Sequence, residues 1–294
     1  MRAALLAALA LVVAALLWGA RIGWQSYQGE RDDFERNPTP VPARQPGIPG
    51  LQEVAFAGAG GAALAAWYVA PRNRAAVILV HGTNAERSSL LPEARILAQA
   101  GFGVLALDLP GQGASAGETR WGEGEELAVS AAVTWLAGRA EVDRERIGGY
   151  GLSFGGFVLL EAAARDPRLR ALVLASTPFD LDAETRQANR EWGLLSELPA
   201  LWALHRYRGE VADIPPAEAV HRLAPRAVLV LGGERDGMVP PRTCRQLFAA
   251  AGEPKELWIV PGAGHAGFAE VAPRAYAQHL IEFFSRALAA PGTG

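Results

Sequence analysis

Cysteine is almost absent from this sequence. Cys244 is the single cysteine among 294 residues, which excludes an intrachain disulfide and any metal site built from several cysteines. An excess of charge of either sign is also missing, since 28 Lys and Arg face 31 Asp and Glu, a formal net charge of −3. A chain so balanced has no bulk electrostatic attraction to nucleic acid. The hydrophobic fraction of 50% excludes a disordered polymer, and the charged fraction of 20% excludes a polytopic membrane protein.

Charged residues are absent from positions 3–20, which Arg2 and Arg21 flank. As an α-helix this run rises roughly 27 Å, just enough to cross the hydrocarbon core of a bilayer. A buried soluble helix is a poor match, because no face of the run is polar. We therefore predict residues 1–22 to be a membrane anchor or, alternatively, a cleaved signal segment. A cut at the end of the run would place Trp18 where small residues are required, which favours the anchor.

A proline-rich stretch follows the apolar run. Proline at high density favours extended backbone and cannot build a packed core. We predict residues 23–50 to be a linker and residues 51–290 to form the folded domain. The prolines of this stretch are Pro38, Pro40, Pro42, Pro46 and Pro49.

Apolar runs and helical patterns alternate from residue 51 onward. Continuous apolar runs such as Ala75 to Val80 and Gly103 to Leu107 are typical of strands buried on both faces. Their alternation with helical segments predicts an α/β fold, with a mostly parallel sheet covered by helices on both faces. Residues 177–223 interrupt the alternation, carry Trp192 and Trp202, and are predicted to form an inserted cap.

A G-x-S-x-G pentapeptide runs from Gly151 to Gly155, after a predicted strand and at the start of a predicted helix. On a sharp strand-to-helix turn Ser153 would project its Oγ outward, and the two glycines remove side chains that would clash. The N–H of Phe154 then becomes a candidate oxyanion donor. The alternative is a tight turn with a helix-capping serine. The strand before and the helix after favour a nucleophile.

A serine nucleophile needs a base, and the sequence has five histidines. His265 lies in a glycine-rich loop, Pro261 to Gly267, directly after the last predicted strand. Such a loop places side chains at the carboxyl edge of a parallel sheet, so we predict His265 to be the base. His205 and His221 lie in the predicted cap, and His279 lies inside the last helix. The loop also matches G-x-G-x-x-G, but no strand follows it, which argues against a dinucleotide site.

A carboxylate must hold the tautomer of the base and stabilise its charged form. Asp236 stands in a glycine turn after a predicted strand, and Glu234 is the rival two residues earlier. Asp before Gly is also an ordinary turn pair. The chain order Ser153, Asp236, His265 is the order expected for a triad on this kind of sheet.

A second glycine bend follows the apolar strand that ends at Val80. Gly82 lets the backbone approach a substrate, and the N–H of Thr83 can point at a developing oxyanion. We predict Thr83 and Phe154 to be the two backbone donors. His81 is predicted to brace this loop by hydrogen bonding rather than to act as the base.

Residues 51–290 resemble the α/β-hydrolase family. The resemblance rests on His81-Gly82 after a buried strand, on Gly151 to Gly155, on Asp236 and His265, and on the stretch from Leu107 to Ser115. That last stretch is similar to the D-x-x-G-x-G-x-S segment after the fourth strand of many members. The family implies eight strands with the second antiparallel, and a cap inserted after the sixth. It also implies serine hydrolysis through an acyl-enzyme.

The family includes serine aminopeptidases, lipases, thioesterases and perhydrolases, so the resemblance does not name the substrate. We predict cleavage of carboxylic esters or thioesters, with no metal or organic cofactor needed. The alternatives are a serine peptidase or amidase of the aminopeptidase-like branch with the same triad, a non-catalytic binding member of the fold, and an acyltransferase or perhydrolase. No propeller-sized segment accompanies the domain, which argues against an oligopeptidase. We expect a small acyl ester as substrate, the membrane as a partner through the N-terminal segment, and no nucleic acid.

The predicted cap and N-terminal segment suggest where the substrate and the domain lie. Trp192, Trp202, Leu194 and Leu195 are predicted to line the acyl pocket or, alternatively, to form the cap's own small core. We expect the domain on the exported side of the cytoplasmic membrane, either anchored or secreted after signal cleavage.

Overall fold

An eight-stranded sheet organises the computed structural model of the protein. The structure describes residues 2–35, 47–119, 124–207 and 214–290. The strands stand in the spatial order β1-β2-β4-β3-β5-β6-β7-β8. Their bounds are Gln52–Ala57 (β1), Ala63–Val69 (β2), Ala76–Val80 (β3), Gly103–Leu107 (β4), Ile147–Leu152 (β5), Leu169–Ala175 (β6), Ala227–Gly233 (β7) and Lys255–Val260 (β8).

One strand runs against the others. β2 pairs antiparallel with both β1 and β4, whereas all pairs from β4 to β8 are parallel. Parallel strands require crossover connections, and the helices between them supply these. The predicted fold class, including the antiparallel second strand, is confirmed.

Helices cover both faces of the sheet, and one long helix precedes the first strand. The predicted C-terminal helix divides at Ala272, because the residue before Pro273 is driven out of helical backbone. The helices are Arg2–Glu35 (α1), Leu91–Gln99 (α2), Glu125–Ala137 (α3), Phe154–Arg165 (α4), Leu181–Ala188 (α5), Leu194–Tyr207 (α6), Pro216–His221 (α7), Pro241–Ala250 (α8), Phe268–Val271 (α9) and Pro273–Ala287 (α10).

The centre of the sheet is buried on both faces. Along β3, Ile78 and Val80 belong to the apolar core that α3 and α4 complete, whereas Val77 and Leu79 belong to the core that α2 and α10 complete. Successive strand residues point to opposite faces, so both sets must be apolar. This is why the central strands are continuous apolar runs in the sequence.

The N-terminal helix is longer than the sequence pattern suggested. α1 continues through Glu35 into the stretch that we predicted to be a linker. No proline occurs between Gly23 and Glu35, so nothing interrupts the helical hydrogen bonds there. Residues 36–46, which carry most of the predicted linker prolines, lie outside the described residues.

The cap is inserted between β6 and β7 and is mostly helical. It contains α5, α6 and α7, and residues 208–213 within it lie outside the described part. Ala200, Leu201 and Leu204 of α6 are buried. α5 and Leu204 border the same cavity as Ser153, which follows β5, so this part of the cap stands at the edge where the parallel strands end.

Candidate active site

Three strand ends bring together the residues predicted to form the triad. Ser153 follows β5, Asp236 lies three residues after β7, and His265 lies five residues after β8. β5, β6, β7 and β8 are neighbours and parallel, so their carboxyl ends share one edge. This is the edge at which open α/β sheets bind ligands.

Ser153 has unusual backbone geometry between β5 and α4. Its φ of 55° and ψ of −124° are disfavoured for a residue with a Cβ, and the surrounding structure must hold them in place. The Ser153 N–H donates to the Ala175 carbonyl of β6 at 2.8 Å, and α4 begins at the next residue. Strained turns of this kind present a nucleophile at the top of a sheet.

The glycines around Ser153 are required by close backbone approach. A Cβ at Gly151 would stand 2.5 Å from the Gly155 oxygen, and one at Gly155 would stand 2.2 Å from the Val80 oxygen. Gly82 approaches from the neighbouring loop, where a Cβ would lie 3.3 Å from the Cβ of Ser153. Any larger residue at Gly151 or Gly155 would therefore push α4 away from β3 or β5.

Asp236 and His265 form a hydrogen-bonded pair. His265 Nδ1 lies 2.9 Å from Asp236 Oδ2, and the Asp236 side chain is fully buried. The second oxygen, Oδ1, accepts from the N–H groups of Met238 at 2.9 Å and Val239 at 2.8 Å. These bonds hold the carboxylate in one orientation toward the imidazole.

The environment keeps Asp236 ionised. Burial by itself raises the pKa of Asp236, but the hydrogen bond and charge of His265 and the bond from the Val239 N–H outweigh it, and the pKa lies below its usual value. An ionised acceptor at Nδ1 stabilises the tautomer with the proton on Nδ1. His265 Nε2 is then the nitrogen that can take a proton.

Glu234, the rival carboxylate, meets a different part of the histidine loop. Its Oε2 accepts from the Gly262 N–H at 2.8 Å, and the Arg235 N–H donates to the Ala263 carbonyl at 2.8 Å. A Cβ at Gly233 would stand 1.9 Å from the Gly264 oxygen, so the two loops approach as closely as glycine allows. Glu234 braces the loop that carries His265.

His81 bridges two loops on the other side of Ser153. Its Nδ1 donates to the Gly82 carbonyl at 2.8 Å, and its Nε2 accepts from the Leu109 N–H at 3.1 Å. Full burial lowers the pKa of His81, which favours the neutral ring that this donor and acceptor pattern needs. His81 thus shapes the backbone that presents Thr83.

The loop that begins at Asp108 supports this arrangement from below. The Asp108 carboxylate accepts from the Arg87 N–H at 2.7 Å, from the Arg87 Nη1 at 2.9 Å and from the Ala114 N–H at 2.8 Å. Ser115 Oγ donates to the Asp108 carbonyl at 2.7 Å and accepts from the Ala65 N–H at 2.8 Å. These bonds tie the loops after β3 and β4 to β2, so the segment acts as a structural brace.

A cavity of ≈ 180 Å³ lies over Ser153 and His265. Thr83 and Phe154 also border it, so both predicted oxyanion donors meet the same space as Ser153. Most of the remaining wall is apolar and comes from the cap and the Asp236 loop. It consists of Pro178, Leu181, Glu184, Thr185, Ala188, Leu204, Met238 and Val239.

Trp192, Leu194, Leu195 and Trp202 were predicted to line the acyl pocket or, alternatively, to form the cap's own small core. They do neither, because they do not border this cavity and lie on the outer side of the cap, 45–66% exposed. The cap wall comes instead from α5 and from Leu204, which the sequence analysis did not single out. One signal was present: α5 begins directly after the loop that follows β6, so it must stand above the strand next to Ser153.

Among the described residues that border the cavity, Glu184 is the one carboxylate. Burial raises its pKa, and Thr243 Oγ1 donates to its Oε1 at 3.2 Å. Among the described residues, no group of three or more His, Cys, Asp or Glu could hold a metal ion. Cys244 is buried beneath this region, and burial raises its pKa to about 12, so it is not a competing nucleophile.

Comparison with known proteins identifies relatives of known fold. Residues 88–290 match the family described as "Prolyl oligopeptidase family". An uncharacterized protein of Mycobacterium tuberculosis is 34% identical over 229 residues, which cover 77% of this chain and 76% of that protein. The polyketide transferase GrgF of Penicillium, an α/β-hydrolase, has a crystal structure that aligns with a TM-score of 0.69 at 25% identity, over 82% of this chain and 99% of that one.

The Pyrococcus furiosus esterase Pf2001 aligns with a TM-score of 0.71 over 86% of this chain and 99% of that chain, at 22% identity. The matched family is named after oligopeptidases, whereas the sequence analysis argued that this chain lacks oligopeptidase activity. The match identifies the family and not the activity. The family match, the sheet order and the antiparallel second strand agree with one another. The chain belongs to the prolyl oligopeptidase family of α/β-hydrolases.

Proposed function

We propose that this protein is a serine hydrolase that cleaves carboxylic esters or thioesters through an acyl-enzyme. One observation carries the proposal: the Asp236–His265 pair and the strained Ser153 meet at a single apolar cavity. Thr83 and Phe154 border the same cavity, which fits an oxyanion site made of backbone donors.

In the proposed reaction Ser153 Oγ attacks the acyl carbonyl while His265 Nε2 takes its proton. The Thr83 and Phe154 N–H groups stabilise the oxyanion of the tetrahedral intermediate. His265 then donates the proton to the departing alcohol or thiol, and a water activated by His265 releases the acid. Asp236 keeps its charge throughout and stabilises the imidazolium.

Ester hydrolysis is favoured by the cavity wall. Leu181, Ala188 and Leu204 offer apolar surface for an acyl chain. A serine peptidase or amidase with the same triad is the second candidate. Two observations favour it: the family described for residues 88–290, and the Glu184 carboxylate, which can receive an amino group in the cavity. A preference for aminoacyl-arylamides over aryl esters would select this candidate.

The membrane location belongs to the same proposal. The span Leu9–Gly29 within α1 has a mean hydropathy of 1.3, and its length and composition allow it to cross a membrane, as a signal sequence also can. We propose an uncleaved anchor with the domain on the exported side. The packing of α1 against the cap supports retention of the helix.

The test uses the full chain and esters of graded acyl length. Ser153→Ala and His265→Ala should each lower kcat by roughly 10³-fold or more, and the double variant should be little worse, because the two residues act as one unit. A fluorophosphonate probe should label the native protein and not Ser153→Ala. Additive losses, or probe labelling that survives Ser153→Ala, would overturn the proposal.

A further inference from the structure

The cap helix α6 is apolar on nearly all sides. Ala200, Leu201 and Leu204 are buried on its inner side, but Leu194 is 66% and Leu198 is 53% exposed on its outer side. A helix that is hydrophobic all round belongs inside a protein or in a membrane. The outer side of α6 therefore needs an apolar neighbour.

Part of that outer side is covered by α1. A Cβ at Gly23 would stand 3.1 Å from the Pro199 ring, and one at Gly19 would stand 3.7 Å from Leu195. The two glycines are four residues apart, so they form one flat strip on α1 that lets α6 approach closely. Ile22 is buried in the same region.

The two helices run in the same direction. Trp18 meets Trp192 edge to face with ring centroids 4.9 Å apart, and Tyr27 stacks on Trp202 at 4.8 Å. The beginning of the cap helix thus lies level with Trp18, and Trp202 lies level with Tyr27. The first turn of α6 is the part nearest to the apolar half of α1.

The described apolar side chains of α1 before Gly19 are themselves exposed. Leu16 and Leu17 are 68% and 67% exposed, directly before Trp18. We take the uncharged run of residues 3–20 as the part of α1 in the hydrocarbon core, because Arg21 follows it directly. From residue 3 to Trp18 the helix rises roughly 23 Å, which brings Trp18 near the far boundary of that core. Tryptophan is enriched at that boundary. Whatever surrounds Leu16 and Leu17 also reaches Trp192 and Leu194.

We propose that the first turns of α6 enter the bilayer interface beside α1. The contact surface, which we call the membrane patch, consists of Trp192, Leu194, Leu195 and Leu198. Arg190 and Glu191 flank it with opposite charges, which the headgroup layer accommodates. The occupant is a lipid bilayer, because the patch continues the exposed apolar surface of the helix that is able to span one.

The patch also suggests a substrate class, and this part rests on the proposed function. Leu204, two to three turns further along the same helix, borders the cavity over Ser153. The cap therefore connects the membrane surface with the acyl cavity. An acyl ester resident in the membrane is the substrate that such a cap would admit.

The depth of the patch can be measured on the full chain reconstituted in vesicles of phosphatidylethanolamine and phosphatidylglycerol. Spin labels are attached at Leu194→Cys and Leu198→Cys, and Leu127→Cys on α3 is the matched control because Leu127 is also exposed, at 47%. Cys244 is buried and stays unlabelled. The label at 194 should lie deepest, up to about 6 Å below the label at 198, and the label at 127 should lie in water.

Two results would overturn the membrane patch. One is a label at 194 that is as accessible to a water-soluble relaxing agent as the label at 127. The other is strong dipolar coupling between labels at 194 on two protein copies, which would show that a second chain covers the patch.

Activity supplies an independent readout. Leu194→Glu with Leu198→Glu should lower hydrolysis of a vesicle-embedded long-chain ester by roughly tenfold and leave a soluble short ester unaffected. Leu127→Glu should change neither. Equal rates for the double variant and the wild type on the embedded ester would contradict the substrate class. Absence of turnover on both esters in the wild-type protein would contradict the proposed function, and the label depths would still decide the membrane contact.

Discussion

At the scale of single residues, two carboxylates in one loop have different contacts. Asp236 holds the Nδ1 of His265, whereas Glu234 holds the backbone of Gly262 in the same histidine loop. The sequence offered both as the acid, and the hydrogen bonds separate their parts: one orients a side chain and the other a backbone.

Asp236→Asn is expected to lower kcat by about 10²- to 10⁴-fold on an activated ester, because an amide that donates to Nδ1 selects the wrong histidine tautomer. Thermal unfolding should show that the variant still folds. Glu234→Gln should cost little, since an amide oxygen can still accept from Gly262. The reverse ranking of the two variants would assign the acid to Glu234.

A second residue-scale prediction concerns Glu93, which is buried beneath the sheet away from the cavity. Tyr276 Oη donates to Glu93 Oε1 at 2.8 Å and lies 2.8 Å from Tyr150 Oη. Burial raises the pKa of Glu93 above its ordinary value of 4.5. The native protein therefore holds a proton there that the unfolded chain releases, and the free energy of unfolding should fall as the pH rises above that value.

Glu93→Gln keeps the shape without the titration. The Tm of Glu93→Gln minus the Tm of the wild type should become larger as the pH is raised from about 5 to 8. Glu282→Gln on the exposed side of α10 is the control for the removal of a carboxylate from the surface. A constant difference for Glu93→Gln would show that Glu93 is ionised in the folded protein.

At the scale of elements, the position of α4 depends on how closely it approaches β3. Gly155, in the first turn of α4, leaves no room for a Cβ against the Val80 and His81 oxygens. Backbone oxygens cannot rotate away as side chains do. The turn at Ser153 therefore depends on a contact between two elements as well as on its local sequence.

Gly155→Ala should destabilise the fold by about 1–3 kcal/mol and lower activity, because α4 must shift and Ser153 moves with it. Gly237→Ala is the control, since a Cβ there meets nothing within 4 Å. Chemical denaturation of both variants measures the effect. A Gly155→Ala variant as stable and active as Gly237→Ala would show that the turn tolerates the shift.

At the scale of the whole molecule, the proposed orientation across the membrane depends on a small difference in basic charge between the two ends of the apolar run. Arg2 precedes the apolar run, and Arg21 follows it, with Arg31 and Arg36 further along. Basic residues near the membrane govern orientation and acidic ones count little, so the bias is shallow. We favour the N-terminus inside, because a short N-terminal anchor normally exports the domain that follows it.

Protease added to intact spheroplasts should release a fragment near the size of residues 45–294, seen on a denaturing gel. Lysed spheroplasts provide the control for protease access. Full protection of the domain would reverse the orientation. Appearance of the domain in the soluble fraction without protease would indicate signal cleavage instead.

Local patterns in the sequence determined the sheet and the position of the candidate site residues at its carboxyl edge. β3 and β4 could be predicted from their apolar runs, because a strand buried on both faces has only apolar residues. The G-x-S-x-G turn could be predicted because its conformation depends on residues within one turn of Ser153. Loops directly after strands must lie at the carboxyl edge, which is why Asp236 and His265 could be named as candidates.

Only the tertiary structure decided which residues of the cap face the cavity. Because α6 is apolar on nearly all sides, its periodicity does not indicate which side is the inner one, and Trp202 lies on its outer side instead of on the pocket side. The extent of α1 and its contact with α6 were equally hidden, since Gly19 and Gly23 reveal a close contact only when a partner helix is present. Such choices depend on contacts between segments far apart in the chain, which no local pattern records.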